Sequence, residues 1–133
     1  MGSDDVKRFL RARGCPDEVV EGGIEALVES WEHTAEQVRR GYPLGLDDYL
    51  NDIDARQLIE DLVAAIPTAA TEPLLGRIEA ADMTMQDAVN PVDECLWGDA
   101  IAEREGWTPG DNWWYFGFPR NPGPQMREEL EEL

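Results

Sequence analysis

Between Pro16 and Arg40 two stripes share one stretch of chain, and together they require a helix. Val20, Ile24, Leu27, Trp31, Ala35 and Val38 recur at steps of three or four residues, and so do Glu18, Glu21, Glu25, Glu29, Glu32 and Glu36. On an α-helix the six glutamates fall within an arc of roughly 80°, and the mean direction of the apolar set lies more than about 100° from theirs. Like charges at these spacings repel by about 0.2–0.5 kcal/mol per neighbouring pair, so five pairs cost roughly 1–2.5 kcal/mol before salt screening. A helix that carries this load faces open water or a basic partner. The glutamate face is therefore a candidate docking surface for a cationic protein, with a merely solvated face as the plain alternative. Its axial repeat of about 5.4 Å does not follow the roughly 3.4 Å phosphate spacing of a B-DNA strand, which counts against DNA mimicry.

Acidity pervades the chain. Its 133 residues hold 29 acids against 11 bases, a net charge of −18, split about −8 and −10 between residues 1–66 and 67–133. Such a charge repels phosphate backbones and anionic membranes and favours a monomer or weak dimer, so neither nucleic acid nor membrane is an expected partner. No apolar run approaches the roughly 20 residues that span a bilayer. Apolar content of 42% with five Trp suits a folded protein, and the length suits one domain over residues 1–133. The two cysteines, Cys15 and Cys95, are too few for a disulfide framework and read as reduced thiols. With no signal-peptide core behind Met-Gly-Ser-Asp-Asp, a cytoplasmic location is expected.

Glycine and proline punctuate the rest. Ser3 is positioned to cap a first helix that runs to about Arg13 and ends at Gly14. Pro16 opens the second helix at its first position, and Gly41 with Pro43 closes it near Arg39-Arg40. Gly22-Gly23 weaken its first third, or allow a kink or a close contact. Asp47 or Asp48 caps a third helix, which Asp54 and Gln57 could restart; Tyr49, Leu50, Ile53, Leu58, Ile59, Leu62, Val63 and Ile66 are its apolar positions, and Pro67 stops it. Thr71-Glu72-Pro73 reads as the opening of a fourth helix reaching Asn90-Pro91. Beyond it, Asn112 to Phe118 is short and aromatic, bounded by Gly110 and Pro119, and reads as a strand. Its expected partner is Glu94-Cys95-Leu96-Trp97, joined through a loop or short helix, and a helix from Gln125 to Leu133 ends the chain.

The usual hardware of several chemistries is missing. There is no Gly-x-Gly-x-x-Gly, no P-loop and no Gly-x-Ser-x-Gly. His33 is the single histidine, too little for a common zinc site, and no cofactor is expected. Asp47, Asp48, Asp52, Asp54, Glu60 and Asp61 crowd one segment, but a calcium loop started at Asp52 meets Arg56, Gln57 and Val63 where a ligand, a glycine and a glutamate belong. A carboxylate- or metal-dependent enzyme around Asp47–Asp54, with His33 as a base, stays as the rival reading. Trp97, Trp107 and Trp114 could alternatively line an aromatic pocket for a small molecule.

We thus expect a mainly α fold of four principal helices in a bundle-like domain, with a short aromatic two-stranded ribbon and a C-terminal helix. The leading functional expectation is a non-enzymatic acidic binding protein whose Glu18–Glu36 face meets a basic protein, an inhibitor- or immunity-like role by analogy of charge and size. Trp113 and Trp114 are adjacent rings that a strand would turn to opposite faces, so one of them is a candidate contact.

Overall fold

A computed structural model describes the backbone of residues 2–66 and 68–131, and the side chains of 4–66 and 71–131. Helix α1 (Gly2–Ala12) leads to α2 (Asp17–Arg40), α3 (Leu46–Ala65) and α4 (Thr68–Ala88); strand β1 (Val89–Pro91), α5 (Asp99–Glu105), a 3-10 turn (Trp113–Tyr115), β2 (Gly117–Pro119) and α6 (Pro124–Glu131) follow. The architecture is mainly helical, with a two-stranded antiparallel ribbon, as the sequence predicts. Among the described residues no helix is long and apolar enough to cross a membrane.

Helix α2 is the hub and packs against α4, α3 and α1. Val20, Ile24, Leu27, Val28, Trp31, Ala35 and Val38 are all buried, so the apolar stripe reads through to the core. Helix α1 ends as expected. Gly14 N–H donates to Arg11 O at 3.0 Å and Cys15 N–H to Leu10 O at 3.1 Å, the two bonds of a Schellman motif. The Ser3 side chain, Pro67 and residues 132–133 lie outside the described residues, so the cap, the stop and the last residues expected there are not addressed.

Several local expectations are corrected. Pro16 precedes α2 as its N-cap residue rather than its first helical one. Helix α2 is not a continuous rod: Gly23 has φ 65° and ψ −163°, which breaks the α-turn one-third of the way along. That backbone region is essentially reserved for glycine. Helix α3 runs without a restart at Asp54, and the residue before it, Gly45, is its N-cap. Asp48 accepts from Gly45 N–H at 3.3 Å, while Leu46 N–H donates to Glu129 of α6 at 2.6 Å. Helix α4 starts at Thr68 instead of Thr71, which leaves Thr71 buried and Pro73 inside the helix, and it stops at Ala88.

The ribbon has a different partner and extent. Val89, Asn90 and Pro91 pair with Pro119, Phe118 and Gly117, whereas Glu94–Trp97 is not a strand. Asn112–Phe116 does not extend because its rings all need cover from one side. Successive residues in a strand point 180° apart, but in a 3-10 turn about 120°. The turn buries Trp114 and Tyr115, leaves Trp113 half-buried and lets Phe116 follow them inward.

The chain's last segment straps the loop before α3. Tyr42 N–H donates to Asn121 O at 3.1 Å and Gly123 N–H returns to Tyr42 O at 2.7 Å. A Cβ at Gly123 would lie 2.4 Å from Tyr42 O, so only glycine fits this approach.

Candidate interaction surface

The six glutamates of α2 do not form the free stripe their spacing suggests. Glu21 lies 3.5 Å from Lys7 Nζ and 3.9 Å from Arg11, both on α1. Glu32 takes a forked pair of bonds from Arg77 of α4 at 3.1 and 2.6 Å, and the Arg77 guanidinium holds its carboxyl below the ordinary range. Glu36 accepts from Arg39 and Arg40 in the last turn of its own helix, and those bonds hold its carboxyl down to about 2. Five bases thus converge on three of the six carboxylates. Glu18, Glu25 and Glu29 stay exposed and outside any ion pair among the described residues. Gly23 also separates Glu18 and Glu21 from the register of the rest.

Trp114 is not available as a contact. It is 2% exposed, with the Arg56 guanidinium 4.4 Å from its ring centroid. Trp113 keeps part of its ring at the surface and packs on Trp31 at 6.3 Å and Trp114 at 5.6 Å between centroids.

Beneath these rings lies a polar layer that sequence reasoning missed. Arg56, 7% exposed, donates from Nε and Nη2 to the two carboxylate oxygens of Asp82 on α4, at 2.9 and 3.0 Å. Its Nη1 reaches Glu60 at 3.1 Å, and Trp31 Nε1 donates to Asp82 at 2.8 Å. Asp54 accepts from Tyr115 Oη at 2.6 Å and Trp97 Nε1 at 3.1 Å. Burial pushes the Asp54 carboxyl above its usual range, against the pull of those two donors. Asn112 donates to Gln57 at 2.9 Å, and Gln57 to Asp61 at 3.0 Å. One flank of α3 is polar in sequence yet covered in space, because the aromatic segment lays donors over it. No spacing signal announces a pair such as Arg56 and Asp82, whose members sit on separate helices.

The acids of the 47–54 segment serve different elements and do not converge. Asp47 is exposed, Asp48 accepts from Gly45, Asp52 accepts from Tyr42 Oη at 2.6 Å, and Asp54 belongs to the ring layer. Burial raises the Asp52 carboxyl, with Tyr42 and the charge of His33 pulling the other way. Among the described residues no group of three His, Cys, Asp or Glu could hold a metal ion. Neither groove described below is lined by Trp97, Trp107 and Trp114 together. Trp107 stacks on Tyr115 at 4.0 Å and borders a polar groove of about 510 Å³ with Arg13, Gln57, Asp61 and Asn112. Arg13 there is already bonded to Asp61 at 2.8 Å.

A second groove, of about 580 Å³, lies between Leu46, Val92, Leu96 and Phe118, with Asp93 and Glu94 on its rim. Residues 93–111 carry six acids and one base, Arg104, which pairs with its neighbour Glu105 at 3.3 Å. Five of those acids stay exposed outside any ion pair among the described residues, while α2 keeps four such acids, Asp17, Glu18, Glu25 and Glu29, beside its three paired glutamates.

The chain matches no protein-family model, no curated protein and no solved structure.

Proposed function

We propose that this chain is a non-enzymatic acidic binding protein for a basic protein partner, and that it meets the partner through the acidic segment 93–111 rather than through α2. The carrying observation is how the chain spends its cations. Among the described residues, nine of the eleven bases sit in ion pairs with eight carboxylates, five of those bases on the α2 glutamates alone. Asp93, Glu94, Asp99, Glu103 and Asp111 are exposed without such a pair. Complementary potential would steer a cationic protein there and be screened by salt.

The test is affinity capture from lysate of the source cells on the immobilised chain, washed over a salt series. Basic proteins should be retained at low salt and released as salt rises. Reversing Asp93, Glu94 and Glu103 to Lys should abolish their retention, while reversing Glu18, Glu25 and Glu29 should leave most of it. Retention that ignores salt, or that is lost only with the α2 reversals, overturns the reading.

A further inference from the structure

We propose that the groove between the start of α3, the 92–96 loop and β2 is the anchoring point for that partner, and that it takes one apolar side chain from a segment flanked by Lys or Arg. The inference rests on the basic-partner reading and names where its contact centres. Leu46, Val92, Leu96 and Phe118 supply the apolar wall, each partly exposed. Asp93 and Glu94 stand on the rim, and Asp47 follows Leu46 in sequence; all three are exposed and outside any ion pair among the described residues. No base lines the groove among the described residues.

Two features give this surface its character. The first is that its walls are set in advance. Val92 N–H donates to Phe116 O at 2.9 Å, Leu96 N–H to Tyr115 O at 2.8 Å, and Leu46 N–H to the Glu129 carboxylate at 2.6 Å. Walls fixed by backbone bonds need little ordering when a ligand arrives. The second is complementarity of charge. The rim side chains, as carboxylates, only accept hydrogen bonds, so an anionic segment is repelled. A hydrophobic residue with cations on either side satisfies wall and rim together. An apolar anchor buried in a pocket, with a polar rim around it, is the usual anatomy of an energetic centre in a protein contact.

The test is a methyl-NMR titration of the full chain in about 20 mM salt, where screening is weak. Three synthetic nonapeptides are compared: Lys-Arg-Lys-Leu-Phe-Leu-Lys-Arg-Lys, the same cations around Ser-Ser-Ser, and Glu-Asp-Glu-Leu-Phe-Leu-Glu-Asp-Glu. The first should bind and shift the methyls of Leu46, Val92 and Leu96. The serine peptide should bind at least about tenfold more weakly, and the acidic peptide should not bind. Asp93→Lys/Glu94→Lys changes only exposed side chains and should weaken the first peptide at least about tenfold, while Glu18→Lys/Glu25→Lys/Glu29→Lys should not.

Shifts confined to α2 overturn both the groove and the 93–111 segment as the docking surface; equal binding of the first two peptides overturns the groove and leaves the basic-partner reading standing. If neither cationic peptide binds, both fall. Binding of the acidic peptide overturns the charge argument. Shifts of the same methyls that grow with protein concentration in the absence of peptide would assign the groove to a second copy of the chain and overturn the proposal.

Discussion

Arg56 of α3 and Asp82 of α4 face each other as a two-bonded pair, at 2.9 and 3.0 Å, roofed by the ring of Trp114. A guanidinium and a carboxylate held this way satisfy each other's geometry, but both have given up water. Asp82 also accepts from Trp31, so one carboxylate ties α4 to α3 and to α2.

Removing either member alone breaks the two-bonded pair and leaves Arg56 with Glu60 alone, or Asp82 with Trp31 alone, under the rings. Asp82→Ala or Arg56→Ala should each cost about 3–5 kcal/mol in urea unfolding. The double change Arg56→Met/Asp82→Leu should cost far less than the sum, because no orphan charge remains. Additive losses would show that the pair is not coupled.

Gly23 gives a prediction whose sign opposes the helix rule. In a regular helix, Gly→Ala stabilises by roughly 1 kcal/mol. Here φ is 65° and ψ −163°, while an added Cβ meets only Val6 Cγ1, at an ordinary 3.8 Å. The penalty is in the backbone alone, and Gly23→Ala should destabilise by about 1–3 kcal/mol. Thermal unfolding that moves upward would mean that the break relaxes to helix at no cost.

The Asp54 carboxyl is raised by burial above its ordinary value of 3.8. The folded chain therefore holds this proton more tightly than the unfolded chain does. Its contribution to stability is complete below about 3.8 and is lost as pH climbs through the raised value, the reverse of the acid-side loss expected from Glu36 between 4.5 and about 2. Asp54→Asn should remove the component that declines with rising pH. Tyr115→Phe should push the Asp54 midpoint higher still, since it deletes the leading bond that lowers it. A carboxyl-carbon NMR titration reads both; an unchanged midpoint in Tyr115→Phe would refute the role given to that bond.

Tyr49 Oη is buried without a hydrogen-bond partner among the described residues. An unsatisfied buried hydroxyl costs about 1–3 kcal/mol, so Tyr49→Phe should stabilise the fold by roughly 1 kcal/mol. A loss of stability on that change would show that the hydroxyl is satisfied in solution.

The helices were legible because their signals are local. Gly14 and Gly41 mark ends by short-range chemistry, and the α2 apolar stripe needs nothing beyond its own period. The break at Gly23 was not legible in kind, because the pattern on both sides of it still counts in helical steps. The aromatic strand misled because alternation is ambiguous when every ring from Trp113 to Phe116 seeks the inside. Of the candidate site, the pairing of Glu36 with Arg39 and Arg40 could have been read from their spacing of three and four residues. The capture of Glu21 by α1 and of Glu32 by Arg77 could not, since it depends on how helices come together. The 580 Å³ groove draws on α3, β2 and a loop between them in sequence, so no window of the chain contains it.

The bond from Leu46 N–H to Glu129 joins residues 83 positions apart. Leu46 N–H at the amino end of α3 thus lacks this acceptor until Glu129 has been made. At about 5–20 residues per second of synthesis, that wait is roughly 4–17 s. A ribosome stalled before α6 would present the Leu46 wall of the groove without this tie, so that wall is set only once α6 has been made.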